Sequence, residues 1–389
     1  MSNKCDQRFQ KARRTLLGAG AFALLAGVAA FPATAEDGVT EKEIKIGMAN
    51  ALSGPASGLG TDLKAGADAF LARANAAGGV NGRKLVLVSK DDGYEPDKAA
   101  AATRALIEQD KVFALFGYVG TPTSAASVPL ASKSGVPYLF PFTGAEFLRN
   151  PVNKLVFNVR ASYFDETELM VERLTKDAGA KTVALFIQDD AFGEAGKAGV
   201  NRALHKRNMK VAAEARYKRN TLEVDPGLAI IKAANPDGVV FIGTYASLAA
   251  IVKKAKAQGI KAKFMTVSFI GTAGFIKESG ADGDGVYITQ VMPSPDSSAP
   301  IVKQFLQDMK SGPVNYSSLE GYVDAAVLVE ALKKAGASPT RAGFLSVLES
   351  LSIDLGGLKV AFSATSHQGA KDVFLTVIRG GKAVQVDRL

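Results

Sequence analysis

Few residues in this chain have the type and spacing that covalent or metal chemistry demands. The two histidines are His205, in a basic stretch, and His367, in the polar turn Ser366-His367-Gln368-Gly369. Both read as surface residues rather than general bases. Hydrolysis by a nucleophile also needs a base and an orienter, and no G-x-S-x-G elbow is present. The Asp91-Asp92 pair has the groups for acid–base work. Adjacent residues on an extended segment point to opposite faces, however, so the pair reads as a polar strand end with turn chemistry. Asp282-Gly283-Asp284-Gly285 resembles a calcium loop only at its start. Counted from Asp282, the twelfth position is Pro293 rather than glutamate, and a third acidic ligand is missing. No phosphate-cradling glycine motif follows a strand in residues 36–389. Neither a metal nor a cofactor is therefore expected, and the chain does not read as an enzyme.

The residues suited to holding a small molecule are spread over loops, which makes the elements between those loops decisive. Apolar runs of strand length recur at 44–49, 85–89, 112–117, 183–187, 238–242, 264–267 and 286–291, and stretches of helix length separate most of them. Leu59, Leu63, Ala67, Phe70, Leu71 and Ala74 show the 3.6-residue period in the first helix. Near-continuous apolar strands alternating with helices predict an α/β protein with doubly wound parallel sheets. Ligands of such sheets bind beyond the carboxyl ends of the strands. The loops there are Leu52-Ser53-Gly54-Pro55, Tyr118-Val119-Gly120-Thr121-Pro122-Thr123, Phe142-Thr143-Gly144, Asp189-Asp190-Ala191-Phe192-Gly193 and Gly243-Thr244-Tyr245. Thr121 suits a helix N-cap, with Pro122 at the first helical position. Most of these loops combine glycine, a hydroxyl or carboxylate and an aromatic ring, a lining for hydrogen bonds and ring contacts. Capping alone explains any single loop; their co-occurrence carries the reading.

Residues 1–35 read as an export leader. Lys4, Arg8, Lys11, Arg13 and Arg14 form a basic start, residues 15–30 form a short glycine-containing apolar segment, and Ala33-Thr34-Ala35 offers a cleavage site. Arg13-Arg14-Thr15-Leu16-Leu17 also fits a twin-arginine signal; an ordinary secretory leader is the preferred reading. Of 47 Lys+Arg and 38 Asp+Glu, the leader holds five and one, which leaves 42 against 37 over 354 residues. So mild a surplus does not suggest a nucleic-acid partner. The run Arg202, Lys206, Arg207, Lys210, Arg216, Lys218 and Arg219 lacks interleaved aromatics and reads as a solvated face. Cys5, the sole cysteine, leaves with the leader, and thiol chemistry leaves with it. At 354 residues the remainder exceeds the ~250–300 at which a single core stops growing, so two lobes are expected.

Ile44-Lys45-Ile46-Gly47, Leu52-Ser53-Gly54-Pro55, Gly60, Gly66 and the run Ala77-Gly78-Gly79-Val80-Asn81-Gly82-Arg83-Lys84-Leu85 form an ordered set. It continues through Asp91-Asp92, Phe116-Gly117, Pro137 to Pro141, Phe192-Gly193 and Tyr322 with Asp324. In order and spacing the set resembles the type I periplasmic solute-binding proteins of branched-chain amino acid ABC importers. The resemblance implies two Rossmann-like doubly wound lobes joined by three crossings, near Ser162-Tyr163, Met292-Pro293 and His367-Gln368. The implied lobes are 43–163 plus 292–367 and 164–291 plus 368–389. It further implies a ligand held in the cleft by hinge closure, a periplasmic location, and an inner-membrane permease with ATPase subunits as partners. A monomer is expected.

Two departures bear on the ligand. Relatives that bind α-amino acids offer a serine hydroxyl to the carboxylate where this chain has Gly120, and a second-lobe acid to the ammonium where it has Ser268. Leu59, Phe142, Phe192 and Phe269 make the lining more apolar than in that template, while Tyr245 matches an aromatic position. The expected ligand is a small amino acid-like or apolar or aromatic carboxylate or amide, with Asp189 or Asp190 as replacement acids if their loop reaches inward. Ser53, Gly54, Tyr118, Gly120, Thr121, Phe142, Thr143 and Gly144 are expected to line the first lobe, with Asp190, Phe192, Tyr245 and Ser268 facing them. A sensor feeding a membrane receptor remains the alternative, and an exported hydrolase a more distant one.

Overall fold

The computed structural model describes residues 36–389; the expected leader, its cleavage site and Cys5 lie outside the described residues. Strand and helix alternate from the start. β1 (Glu43–Asn50), α1 (Ser57–Ala76), β2 (Lys84–Asp91), α2 (Pro96–Glu108), β3 (Ala114–Phe116), α3 (Thr121–Lys133), β4 (Tyr138–Leu139) and β5 (Val156–Phe157) build the first lobe. Its sheet is wholly parallel in the order β2-β1-β3-β4-β5. The chain then crosses into α4 (Tyr163–Lys176), β6 (Val183–Gln188), α5 (Ala191–His205), β7 (Glu214–Tyr217), α6 (Asp225–Ala234) and β8 (Gly238–Ile242). It continues through α7 (Tyr245–Ala257), β9 (Lys263–Thr266), α8 (Thr272–Ser279) and β10 (Tyr287–Gln290). α9 (Pro300–Asp308), α10 (Tyr316–Lys334), α11 (Arg341–Glu349) and the hairpin of β11 (Ser352–Asp354) and β12 (Lys359–Ala361) follow. Finally β13 (Phe374–Arg379) and β14 (Lys382–Val386) join the second sheet, whose order is β14-β13-β10-β9-β8-β6-β7.

Every residue of β6 and β8 is buried, as parallel strands covered on both faces must be. Strand order reverses beside β1 and β3 in one sheet and beside β6 and β8 in the other. The loops leaving these four strands therefore lie where a doubly wound sheet opens a crevice. Two of the glycines noted in the sequence serve packing. A Cβ on Gly66 would lie 1.7 Å from the Ser318 carbonyl oxygen, and one on Gly321 would lie 1.9 Å from that of Leu63. Backbone thus meets backbone where α10, arriving after the second sheet, returns to α1. Phe70 and Phe305 flank Tyr322 there with ring centroids 5.0 and 5.4 Å away, and the Tyr322 hydroxyl donates to Asp308 at 2.6 Å.

Two of the segments that run between the sheets are strapped together. Asn158 N–H donates to the His367 carbonyl at 2.8 Å, Gly369 N–H to Asn158 at 2.7 Å, and Ala370 N–H to Val159 at 2.8 Å. This arrangement corrects the reading of His367 as a surface residue. His205 is exposed at the end of α5, but His367 is buried, its ring stacked on Phe157 at 3.8 Å between centroids. Its Nδ1 lies 3.0 and 2.9 Å from the carbonyls of Asn153 and Val156. Carbonyls only accept, so Nδ1 carries the proton and the ring serves as a structural donor. Asp282 ends up in a short 3₁₀ turn before β10, and among the described residues no cluster of metal-ligating side chains forms.

Since the α1–α10 contact leaves no room for a side chain, Gly66→Ala should lower stability by about 1–3 kcal/mol. Chemical denaturation measures this, and an unchanged midpoint would contradict the backbone contact.

Candidate functional site

The crevice is built from the strand ends outward. Asn50, the last residue of β1, accepts a hydrogen bond from Val119 N–H at 2.9 Å and so fastens the loop after β3 to the loop after β1. Asp91 gathers the N–H groups of Leu52 (2.9 Å), Ser53 (3.2 Å) and Gly93 (2.9 Å) on one oxygen. Burial pushes its carboxyl up, but these bonds prevail and hold it below the usual carboxylate range. Asp92 points inward instead. It is fully buried, accepts from Tyr94 N–H at 2.8 Å, and leaves Oδ2 without a partner among the described residues. Burial first, then the charges of Asp91 and Glu95, push its carboxyl up to about 7.

The turn after Asp92 places Tyr94, a residue the sequence reading did not single out, at φ +61° with its side chain buried. Its ring lies on Gly120, where a Cβ would come within 2.3 Å of a ring carbon. Gly120 is therefore where Tyr94 fits, and a serine there would collide with it. Gly120, not Thr121, also takes the N-cap position of α3, at φ +106°. Thr121 was expected as the cap; one position further in, its hydroxyl is free and meets that of Thr143 at 2.7 Å. Thr143 in turn donates to the Tyr163 hydroxyl at 3.2 Å. The chain of donors thus runs Thr121, Thr143, Tyr163, and the Tyr163 proton has no acceptor among the described residues. Burial pushes that phenol up to about 12, so it stays protonated.

Aromatic rings from both lobes close over this chain. Phe269 stands 4.6 Å from Phe192, 5.5 Å from Phe142 and 6.0 Å from Tyr94 between centroids, and Tyr163 lies 5.4 Å from Phe192. The Arg160 guanidinium covers Phe142 at 4.6 Å. Arg160 is itself buried, touches the Ser268 hydroxyl, and has Nε 3.4 Å from a Glu320 oxygen. Ser268 donates its N–H and hydroxyl to Glu166 at 2.7 and 3.1 Å, and Thr289 adds a third bond at 2.6 Å.

Other polar contacts tie the lobes at the rim. Gln188 donates to the Tyr94 hydroxyl at 3.2 Å, and the Gly58 N–H donates to the Tyr245 hydroxyl at 3.2 Å. Arg219 bridges Asp190 at 2.8 Å and Glu95 at 2.9 Å. Outside the Tyr245 contact lies a chamber of about 610 Å³, lined among others by Gly54, Asp62, Lys277 and Asn315. This open space lies outside the Tyr245 contact, while the rings themselves fill the interior behind it.

Several expected lining residues take other places. Tyr118 lies in the core of the first lobe, its hydroxyl 3.0 Å from Thr103 and its ring against Tyr138. Gly144 gives room to Tyr163, whose atoms would sit 2.5 Å from a Cβ. Ser53 is exposed at the surface, while Gly54, also exposed, lines the outer chamber. Asp190 caps α5 through Phe192 N–H at 2.9 Å and faces Arg219, while Asp189 pairs with Arg216 at 2.8 Å. Neither acid is free for a ligand. The basic run that supplies these arginines is therefore largely paired, with Lys206 and Arg207 both on Glu168. Tyr94, Arg160, Tyr163 and Glu320, which were not singled out as site residues from the sequence, are buried members of this cluster. Arg160 had a signal, as the one charge in the otherwise uncharged run 155–162.

The family model described as periplasmic binding protein matches residues 43–383. The chain belongs to the type I periplasmic binding proteins of the branched-chain amino acid family. A solved structure described as a possible leucine/isoleucine/valine-binding protein from Rhodopirellula baltica is 31% identical. It covers 91% of this chain and 98% of its own, with a TM-score of 0.85. The leucine-, isoleucine-, valine-, threonine- and alanine-binding protein of Pseudomonas aeruginosa is 23% identical over 86% of this chain and 92% of its own. A fatty acid ABC transporter substrate-binding protein from Thermomonospora curvata shares the fold at 21% identity and a TM-score of 0.83, over 91% and 94% of the two chains. Periplasmic binding proteins of this family hold solutes and do not turn them over. In this periplasmic binding protein, hydroxyl donors, rings and buried charges accordingly converge without a nucleophile–base pair.

The raised pKa of Asp92 sets a pH dependence. A carboxyl protonated more readily in the folded than in the unfolded state loses folding free energy as pH rises from its ordinary value near 4 through about 7. Asp92→Asn should remove that loss, raising stability at pH 8 by on the order of 2–4 kcal/mol and changing little at pH 4. Thermal melts at the two pH values measure it, and a variant less stable than the parent at pH 8 would contradict the assignment.

Proposed function

We propose that this protein is the solute receptor of an ABC importer, exported to the periplasm by the leader in residues 1–35. Its ligand is a small carboxylic acid or amide with an apolar or aromatic body. One observation carries this reading: the donor chain Thr121, Thr143, Tyr163 ends in an unspent phenol proton beside rings contributed by both lobes. A carboxylate is the acceptor such a chain suits, since hydrogen bonds to charged groups contribute about 1.5–3 kcal/mol each. The names of the relatives agree. Branched-chain amino acids and fatty acids share only a carboxylate head and an apolar body.

In this reading the bodies that move are 43–163 with 292–367 and 164–291 with 368–389, hinged at the three crossings. The bonds of Tyr94 to Gln188, Tyr245 to Gly58 and Arg219 to Glu95 belong to the closed arrangement. To move such an equilibrium from 1:99 to 99:1 a ligand must favour closure by ~5.5 kcal/mol. The closed face is what a permease with its ATPase subunits would recognise, and the receptor acts as a monomer.

Calorimetry with leucine, phenylalanine and benzoate tests the ligand class. Ring-bearing acids should bind more tightly than leucine, and tight leucine binding without response to the ring acids would overturn the aromatic preference. Thr121→Ala and Tyr163→Phe should each weaken the best binder about 10- to 100-fold without unfolding the protein, and Tyr245→Ala should weaken it by loosening closure. Unchanged affinity in all three would show that the ligand sits elsewhere.

A further inference from the structure

Five rings crowd the interior, and their spacing leaves no room for a sixth. Phe269 lies 4.6 Å from Phe192, 5.5 Å from Phe142 and 6.0 Å from Tyr94 between centroids, and Tyr163 lies 5.4 Å from Phe192. These are contact distances for aromatic pairs. All five rings are buried, and the void beside Phe142 and Ser268 measures about 10 Å³, no more than one water needs. A ligand whose head reaches the hydroxyls of Thr121, Thr143 and Tyr163 can therefore lay its body against Phe142 and Phe192 only where a ring of the protein stands.

Four of the five are fastened by something other than another ring. The Tyr94 hydroxyl accepts from Gln188 at 3.2 Å, and its ring fills the space over Gly120. Phe142 lies under the Arg160 guanidinium at 4.6 Å, and its N–H donates to the Tyr118 carbonyl at 2.8 Å. Tyr163 opens α4 and accepts from Thr143 at 3.2 Å. Phe192 is in the first turn of α5, its N–H held by Asp190 at 2.9 Å. Phe269 differs. It sits in the middle of the three-residue 3₁₀ turn Ser268–Ile270, which no side chain caps, and an incoming aromatic ring would satisfy its ring partners equally well. Ser268 before it is anchored on Glu166 through N–H and hydroxyl, so any change falls on the Phe269 side chain and the backbone after it. Gly271, two residues on, has φ +77°, the left-handed region that glycine tolerates, and it lines the outer chamber. That chamber, about 610 Å³, exceeds the ~150 Å³ in which a benzene ring is held.

We infer that Phe269 is the residue that gates and selects the ligand: its ring holds the place of the ligand's apolar body and swings towards the chamber beyond Gly271 when a ligand takes that place. The inference rests on the receptor reading above and assigns the selection to one side chain. Binding is then an exchange of one ring for another. The ligand gains its own burial and forfeits that of Phe269, and its apparent affinity is lowered by the fraction of molecules in which the ring has not moved. A ring-bearing acid restores the contacts to Phe192 and Phe142 that the departing ring gives up.

The test compares neighbouring rings with benzoate and 3-phenylpropanoate as probes. Phe269→Ala should bind these acids about 10- to 100-fold more tightly than the parent, because no ring has to leave. Phe269→Leu should gain in the same direction by a smaller factor, and it keeps the core filled should the alanine variant fail to fold. Phe192→Ala should lose affinity for the same acids, since it removes a wall that stays; a purely structural role for both rings would weaken both. Toluene at its solubility limit should compete for the place that Phe269→Ala empties, weakening the acid at least about fivefold in that variant and leaving the parent unchanged. Tighter binding by the Phe269 variants, including binding that only they show, is the result expected. Equal or weaker binding by the folded Phe269 variants, or an affinity that toluene does not alter, would overturn the gate while leaving a carboxylate receptor standing. Failure of both acids to bind the parent and every variant would overturn both readings.

Discussion

A guanidinium sealed away from water at the junction of two lobes has to find its partners there, and the central part of this molecule is arranged to supply them. Arg160 leaves the first sheet on a strand-like crossing, lies over Phe142, and reaches Glu320 on one side and Ser268 on the other. Removing one partner of a buried ion pair costs about 3–5 kcal/mol, because the remaining charge stays desolvated. The relation of the lobes and the chemistry of the cleft are thereby coupled: a motion that separated Ser268 from Glu320 would also expose Arg160.

The pattern of two packed sheets was open to reading from the chain because β6 and β8 are continuous apolar runs bounded by turn residues. β4 and β5 were not, since each is two residues long and gains strand character only by pairing with its neighbour. β13 and β14 form a hairpin around Gly380-Gly381 and enter the sheet antiparallel at its edge, away from the βα rhythm that guided the reading. His367 shows the opposite difficulty. A serine- and glycine-flanked histidine has every local mark of an exposed turn, and only the strap between Asn158 and Gln368 buries it.

At the site, residue types were readable but partnerships were not. Gly120 registered as a missing hydroxyl, and the structure shows its cause twenty-six positions upstream, in the Tyr94 ring that needs the space. Asp190 registered as a replacement acid if its loop reached inward, yet Arg219 and the start of α5 claim its two oxygens. Tyr163 registered only as part of a crossing, because its hydrogen bond depends on Thr143, twenty residues earlier. Long-range pairing decided each case, and periodicity and turn chemistry carry no information about it.

The hydroxyl chain and the rings beside it are suited to receiving the head and the body of one ligand. A crystal structure with the tightest-binding acid should show its carboxylate within hydrogen-bonding distance of the hydroxyls of Thr121, Thr143 or Tyr163, with its apolar body against Phe142 and Phe192. A ligand found instead in the outer chamber, between Asp62, Lys277 and Tyr245 and with the hydroxyl chain still closed on itself, would contradict the account.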